Sequence, residues 1–108
     1  MKKVNVFVIY PLRYEDEIKD HLKNIQQDNK HFRLITFNNR AEWKEEVKIE
    51  IEKAKLIIVF IPPEGLTENM EFEHKMAEDE QRAIIDINYN EWENCSEKIQ
   101  NGLNCLFE

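Results

Sequence analysis

The sequence predicts a three-layer α/β fold, a parallel four-stranded sheet with helices on both faces. Two observations carry the prediction. Short apolar runs rich in β-branched and aromatic residues alternate with segments whose apolar residues recur at helical spacing. The order reads β-α-β-α-β-α-β-α, and such strict alternation needs crossovers that lay helices over both faces of a parallel sheet. The chain of 108 residues can bury one ordinary core, so 1–108 is read as a single domain.

The elements follow in order. Residues 4–10, VNVFVIY, are almost continuously apolar, as in a strand buried on both faces. Residues 13–27 place Tyr14, Ile18, Leu22 and Ile25 on one helical stripe. FRLITF, 32–37, reads as a short second strand suited to an edge, and NNR after it is a turn signal. Residues 41–54 put Trp43, Val47, Ile51 and Ala54 on one stripe. KLIIVFI, 55–61, is the most hydrophobic strand, and Pro62-Pro63 stops it. A loop, PPEGLTEN, leads into a helix over 69–79. AIIDI, 83–87, is the fourth strand. Residues 91–107 carry Trp92, Cys95, Ile99, Leu103 and Leu106 as a last amphipathic helix.

A strand order of 2-1-3-4 makes this a flavodoxin-like sheet, whose ligands bind outside the carboxyl ends of the strands at the switch point between strands 1 and 3. Three segments lie there: YPLRYED, NNRAEW and PPEGLTENMEFE. They hold Tyr10, Arg13, Asp16, Arg40, Trp43, Glu73 and His74.

Glu73 is the candidate for chemistry. In TENMEFEHKMA it shares a helical stripe with Met70, Met76 and Ala77, roughly 6 Å inside the helix. A carboxylate in an apolar stripe either has a raised pKa or finds a partner such as Arg13 or Arg40. Its plainer reading is a solvated place at the rim of the stripe. Arg13 and Arg40 each suit a bidentate grip on phosphate or carboxylate, and Arg13 equally suits a pair with Asp16. Trp43 either lines a stacking surface or opens a core stripe. His74 points away from Glu73 and reads as a surface histidine.

Composition excludes several classes. The net charge of -7 opposes a general nucleic-acid or anionic-membrane binder. No apolar run approaches the length of a membrane span, and MKKVNVFVIYPLRYEDE lacks a signal-peptide cleavage site, so a cytoplasmic protein is expected. Cys95 and Cys105 fall in one helix about 15 Å apart, too far for a disulfide, and no Cys/His spacing suggests a metal. Neither GxGxxG, GxxxxGK[ST] nor GxSxG occurs. The third strand ends FIPP, without the aspartate of a phosphoryl-accepting receiver.

VFVIYPLRYEDE, EWKEEVKIEIEKAKLIIVFIPP and TENMEFEHKMA together resemble Toll/interleukin-1 receptor (TIR) domains over about residues 4–87. On this resemblance Glu73 matches the catalytic glutamate of the enzymatic members and Ala77 the alanine after it. The resemblance implies cleavage or cyclisation of NAD, with NAD as substrate and no resident cofactor, and a place in bacterial antiphage signalling of the Thoeris type. Tyr10, Arg13, Arg40 and Trp43 would shape the NAD site. It equally implies a non-catalytic interaction module that self-associates or binds a protein partner, or a nucleotide-binding sensor. Nucleoside deoxyribosyltransferases offer a second analogy, with a similar fold and a similarly placed glutamate. The chain departs from the TIR pattern at Pro11, where a serine is usual, at Thr67, in the short glycine-free NNRAEW loop, and in lacking a fifth strand. Strand 4 is therefore expected at an edge.

Overall fold

The computed structural model describes residues 4–36 and 43–106. The strands are β1 (Val4–Ile9), β2 (Phe32–Ile35), β3 (Leu56–Ile61) and β4 (Ala83–Asn88). The helices are α1 (Glu15–Asp28), α2 (Trp43–Lys53), α3 (Glu68–Asp79) and α4 (Cys95–Leu106). All strand pairs are parallel and the order is β2-β1-β3-β4, the flavodoxin-like order the alternation predicts.

Hydrophobicity sorts the strands. β3 is LIIVFI and buries all but Ile61, so it takes a central place beside β1. β2 has four residues, exposes Arg33 and lies at an edge. Side chains alternate along the central strands. Val6, Val8, Ile58 and Phe60 pack on Ile18 and Ile25 of α1 and Ile99 of α4. Phe7, Ile9, Ile57 and Val59 pack on Val47 and Ile51 of α2 and Met70 and Ala77 of α3. A buried side chain of this size contributes about 1.5–3 kcal/mol, so the sheet is held from both sides. Among the described residues no helix is long and apolar enough to cross a membrane.

Several boundaries differ from the sequence expectation. β2 ends at Ile35, before Thr36. The first helix, expected from residue 13, begins at Glu15 after a 3-10 turn over Leu12–Tyr14. Its first turn holds Glu15, Asp16 and Glu17, which suits the positive end of the helix dipole. The helix expected over 91–107 divides into a 3-10 turn, Tyr89–Asn94, and α4. Two contacts explain the division. The Glu91 carboxylate accepts from the Asn88 backbone N–H at 3.2 Å, and the Trp92 indole N–H donates to the Ile87 carbonyl at 3.1 Å. Trp92 is thereby tied to the end of β4 before α4 starts. Both cysteines lie in α4 as free thiols, Cys95 buried and Cys105 exposed.

Candidate functional site

The loop from β3 to α3 turns the chain at the carboxyl end of β3 so that α3 starts there and packs back along the sheet. Pro62 and Pro63 end β3, and the Gly65 N–H donates to the Pro62 carbonyl at 3.0 Å. Gly65 sits at φ +92°, which favours glycine. Thr67 then caps α3, its hydroxyl accepting from the Met70 N–H at 3.2 Å. Met70 and Ala77 enter the core, while Glu73 and Met76 are half-buried beside them.

Burial raises the Glu73 carboxyl to about 7. Among the described residues neither a cation nor a hydrogen-bond donor offsets that desolvation. The group is therefore divided between its acid and base forms near neutral pH, the condition in which a carboxyl can give, take or electrostatically oppose a charge. Tyr10, half-buried at the end of β1, lies within its field. Burial raises the Tyr10 phenol first, then the Glu15 carboxylate, with Glu73 adding to the rise. The Thr36 hydroxyl and Lys19 act in the opposite sense. Tyr10 and Thr36 thus meet at one mouth, the ends of β1 and β2; Tyr10 packs with the α1 and α4 side of the sheet and α3 with the other, so the link between Glu73 and Tyr10 is one of charge. Thr36 carried no signal in the sequence, because its place depends on where β2 stops.

Arg13 is engaged elsewhere than expected. It pairs with Glu64 of the β3–α3 loop, not with Asp16 or Glu73. Its guanidinium also lies 5.3 Å from the centre of the Tyr14 ring, and the Tyr14 hydroxyl donates to Glu64 at 3.4 Å. The contact bridges the loops after β1 and β3, and its exposure makes it weak enough for an incoming anion to displace. Arg40 lies outside the described residues, as does the side chain of Trp43, whose backbone opens α2.

His74 is more than a surface histidine. Its Nδ1 lies 2.8 Å from Glu78 and its Nε2 3.0 Å from Asp86. Burial lowers its pKa, but the two carboxylates outweigh burial and the net shift is upward. It joins α3 to β4 and turns away from the mouth. A feature with no sequence signal is an aromatic cluster at the same end of the sheet. Trp92 meets Tyr89 at 4.8 Å, Tyr14 at 5.4 Å and Phe60 at 5.8 Å between ring centres. It forms because the 3-10 turns after β1 and β4 converge there.

A cleft of about 540 Å³ opens at the opposite end of the sheet, between Val4, Phe32 and Leu56 on one side and Gln100, Leu103 and Asn104 on the other. Among the described residues its lining holds no carboxylate, so the chemistry of Glu73 is not shared with it.

No family model matches the chain. Comparison with the curated proteins finds no relative. Among solved structures the chain is similar to a 2-desoxiribosyltransferase from Leishmania mexicana, with a TM-score of 0.64 and 11% sequence identity. The similarity covers 79% of this chain and 64% of that one, so this chain spans less than two thirds of the neighbour's length. At that identity the likeness is one of fold.

Proposed function

We propose that Glu73 is the catalytic carboxylate of a site that breaks an N-ribosyl bond, with NAD as the substrate. The observation that carries the reading is a desolvated carboxyl, raised to about 7, one turn and a half into the helix that starts at the carboxyl end of β3. The TIR resemblance of TENMEFEHKMA points the same way.

The chemistry suits a lone carboxylate. In NAD the nicotinamide is a cationic leaving group. When the C1′–N bond breaks, its electron pair goes to the ring nitrogen and nicotinamide departs neutral, so no acid is needed. Positive charge develops on the ribose, and an ionised Glu73 opposes it. Water then bonds to C1′ and releases a proton, giving ADP-ribose. Attack by a nitrogen of the substrate's own adenine would give the cyclic product instead. Tyr10 sits where its hydroxyl can order the ribose or the attacking water. Arg13, freed from Glu64, is the described cation suited to the pyrophosphate.

The fold likeness favours one further substrate of the same chemistry, a 2′-deoxynucleoside, since that neighbour is named for 2-deoxyribosyl transfer. Incubation of the protein with NAD, and separately with a deoxynucleoside and a free acceptor base, distinguishes the two by the product separated on a column. The expected result is nicotinamide release, reduced at least about 100-fold in Glu73→Gln, which keeps the shape and removes the charge. Turnover unchanged in Glu73→Gln would overturn the assignment. NAD that raises the melting temperature without yielding product would make the chain a nucleotide sensor. Neither binding nor turnover would leave the interaction module.

A further inference from the structure

β4 is the outer strand of the sheet. Its six residues pair with β3, and among the described residues no strand pairs on its other side. Such an edge presents backbone N–H and C=O groups ready for another strand. Of the usual protections the strand carries one charge, Asp86, and no proline, lysine or glycine. The opposite edge, β2, is only four residues long. Beside β4 runs a groove of about 660 Å³, bounded by Ile84, Ile85 and Asp86 of the strand and Lys98, Asn101 and Cys105 of α4. Close approach of α4 shapes it, because Gly102 lies against the Ile85 side chain.

The charge along this edge is net negative. On the α3 face Asp86 and Glu78 share the one imidazole of His74, and on the α4 face Glu91 and Glu97 stand with Lys98. Lys98 is the lysine of the groove, and Glu91 already holds it at 3.1 Å. We propose that β4 accepts a fifth strand from a partner: an extended segment in which apolar residues alternate with lysine or arginine. Its backbone would pair with β4, its apolar residues would enter the groove on the α4 face beside Ile85, and its cations, on the other face, would meet Asp86 and Glu78. A second copy of this chain fits poorly. Two β4 edges brought together would oppose Asp86 to its own counterpart's neighbourhood of acids, and each chain carries -7. The proposal does not rest on the role given to Glu73.

The test uses three labelled peptides of about eight residues, a strand's length. One alternates lysine with valine, one alternates glutamate with valine, and one is the lysine peptide with two prolines. Binding is followed by anisotropy, and the site by amide exchange of residues 83–88. The lysine peptide is expected to bind, to slow exchange in β4, and to weaken about tenfold in both Asp86→Lys and Glu78→Lys. Glu78→Lys changes an exposed helical residue, so the fold is retained in at least one variant. The proline peptide is expected to lose binding because it cannot complete the ladder. Four results each overturn the proposal: no binding at millimolar peptide, equal binding of the glutamate peptide, binding that leaves β4 exchange unchanged, or β4 protection that grows with protein concentration alone.

Discussion

Glu73 shows how one residue can carry a cost that serves a site. A carboxyl raised by burial from its ordinary 4.5 to about 7 loses folding free energy as it ionises. The unfolded chain gives up this proton near 4.5, whereas the folded chain keeps it until about 7. Stability from this group is therefore whole below 4.5, falls between 4.5 and about 7, and is lost above. Glu73→Gln cannot ionise, so it is expected to be more stable than the parent, with the gap widening by about 2 kcal/mol between pH 5.5 and pH 8. Urea unfolding of both proteins at the two pH values measures this, and His74, present in both, cancels from the difference. Activity should run the other way. If the ionised carboxylate opposes ribose charge, kcat/KM for NAD rises with pH through about 7, the range in which Glu73 ionises. A rate flat from pH 6 to 8 would separate Glu73 from the chemical step. The stripe of Met70, Met76 and Ala77 made Glu73 legible in the sequence. Arg13 was less so, because its partner, Glu64, comes from a loop 51 residues on that only the fold brings near.

At the scale of elements, α4 lies against β4 at Gly102, where a Cβ would stand 2.6 Å from the Ile85 Cδ1. Alanine is the better helix former by about 1 kcal/mol, yet overpacking typically costs about 1–3 kcal/mol. Gly102→Ala should therefore lower stability or leave it little changed. Adding Ile85→Val removes the methyl in the way, and the double variant should be more stable than the two single changes add up to. Chemical denaturation of the four proteins of that cycle checks the sign of the coupling. Helix and strand types were legible from the sequence because period and β-branching agreed within each segment. The ends were not. The last helix begins at Cys95 and not at 91, because Trp92 is held by the Ile87 carbonyl, a contact made by a strand already placed in a sheet.

For the whole molecule, the sheet has two distinct ends and an open side. Tyr10 and Thr36 stand at the carboxyl ends of β1 and β2 with Glu73 within charge range of Tyr10, an apolar cleft lies at the other end, and β4 faces outward. A ligand held at the mouth should slow amide exchange in residues 62–73 and leave residues 100–104 beside the far cleft unchanged. Saturating NAD with exchange read by mass spectrometry tests this, and protection confined to the far cleft would move the binding site there. The sequence alone determined the class of fold, because strict alternation of two periodicities admits few right-handed parallel arrangements. The order β2-β1-β3-β4, one of the doubly wound orders that alternation allows, is the expected one. The sequence also determined that Glu73 lies on the apolar stripe of its helix, because that is a local matter of spacing. Only the tertiary structure decided what each charged residue meets: Glu64 for Arg13, Asp86 and Glu78 for His74, and desolvation for Glu73. The physical reason is range. Helical and strand periods act over a few residues, whereas burial and charge pairing depend on segments that touch only after the chain has folded.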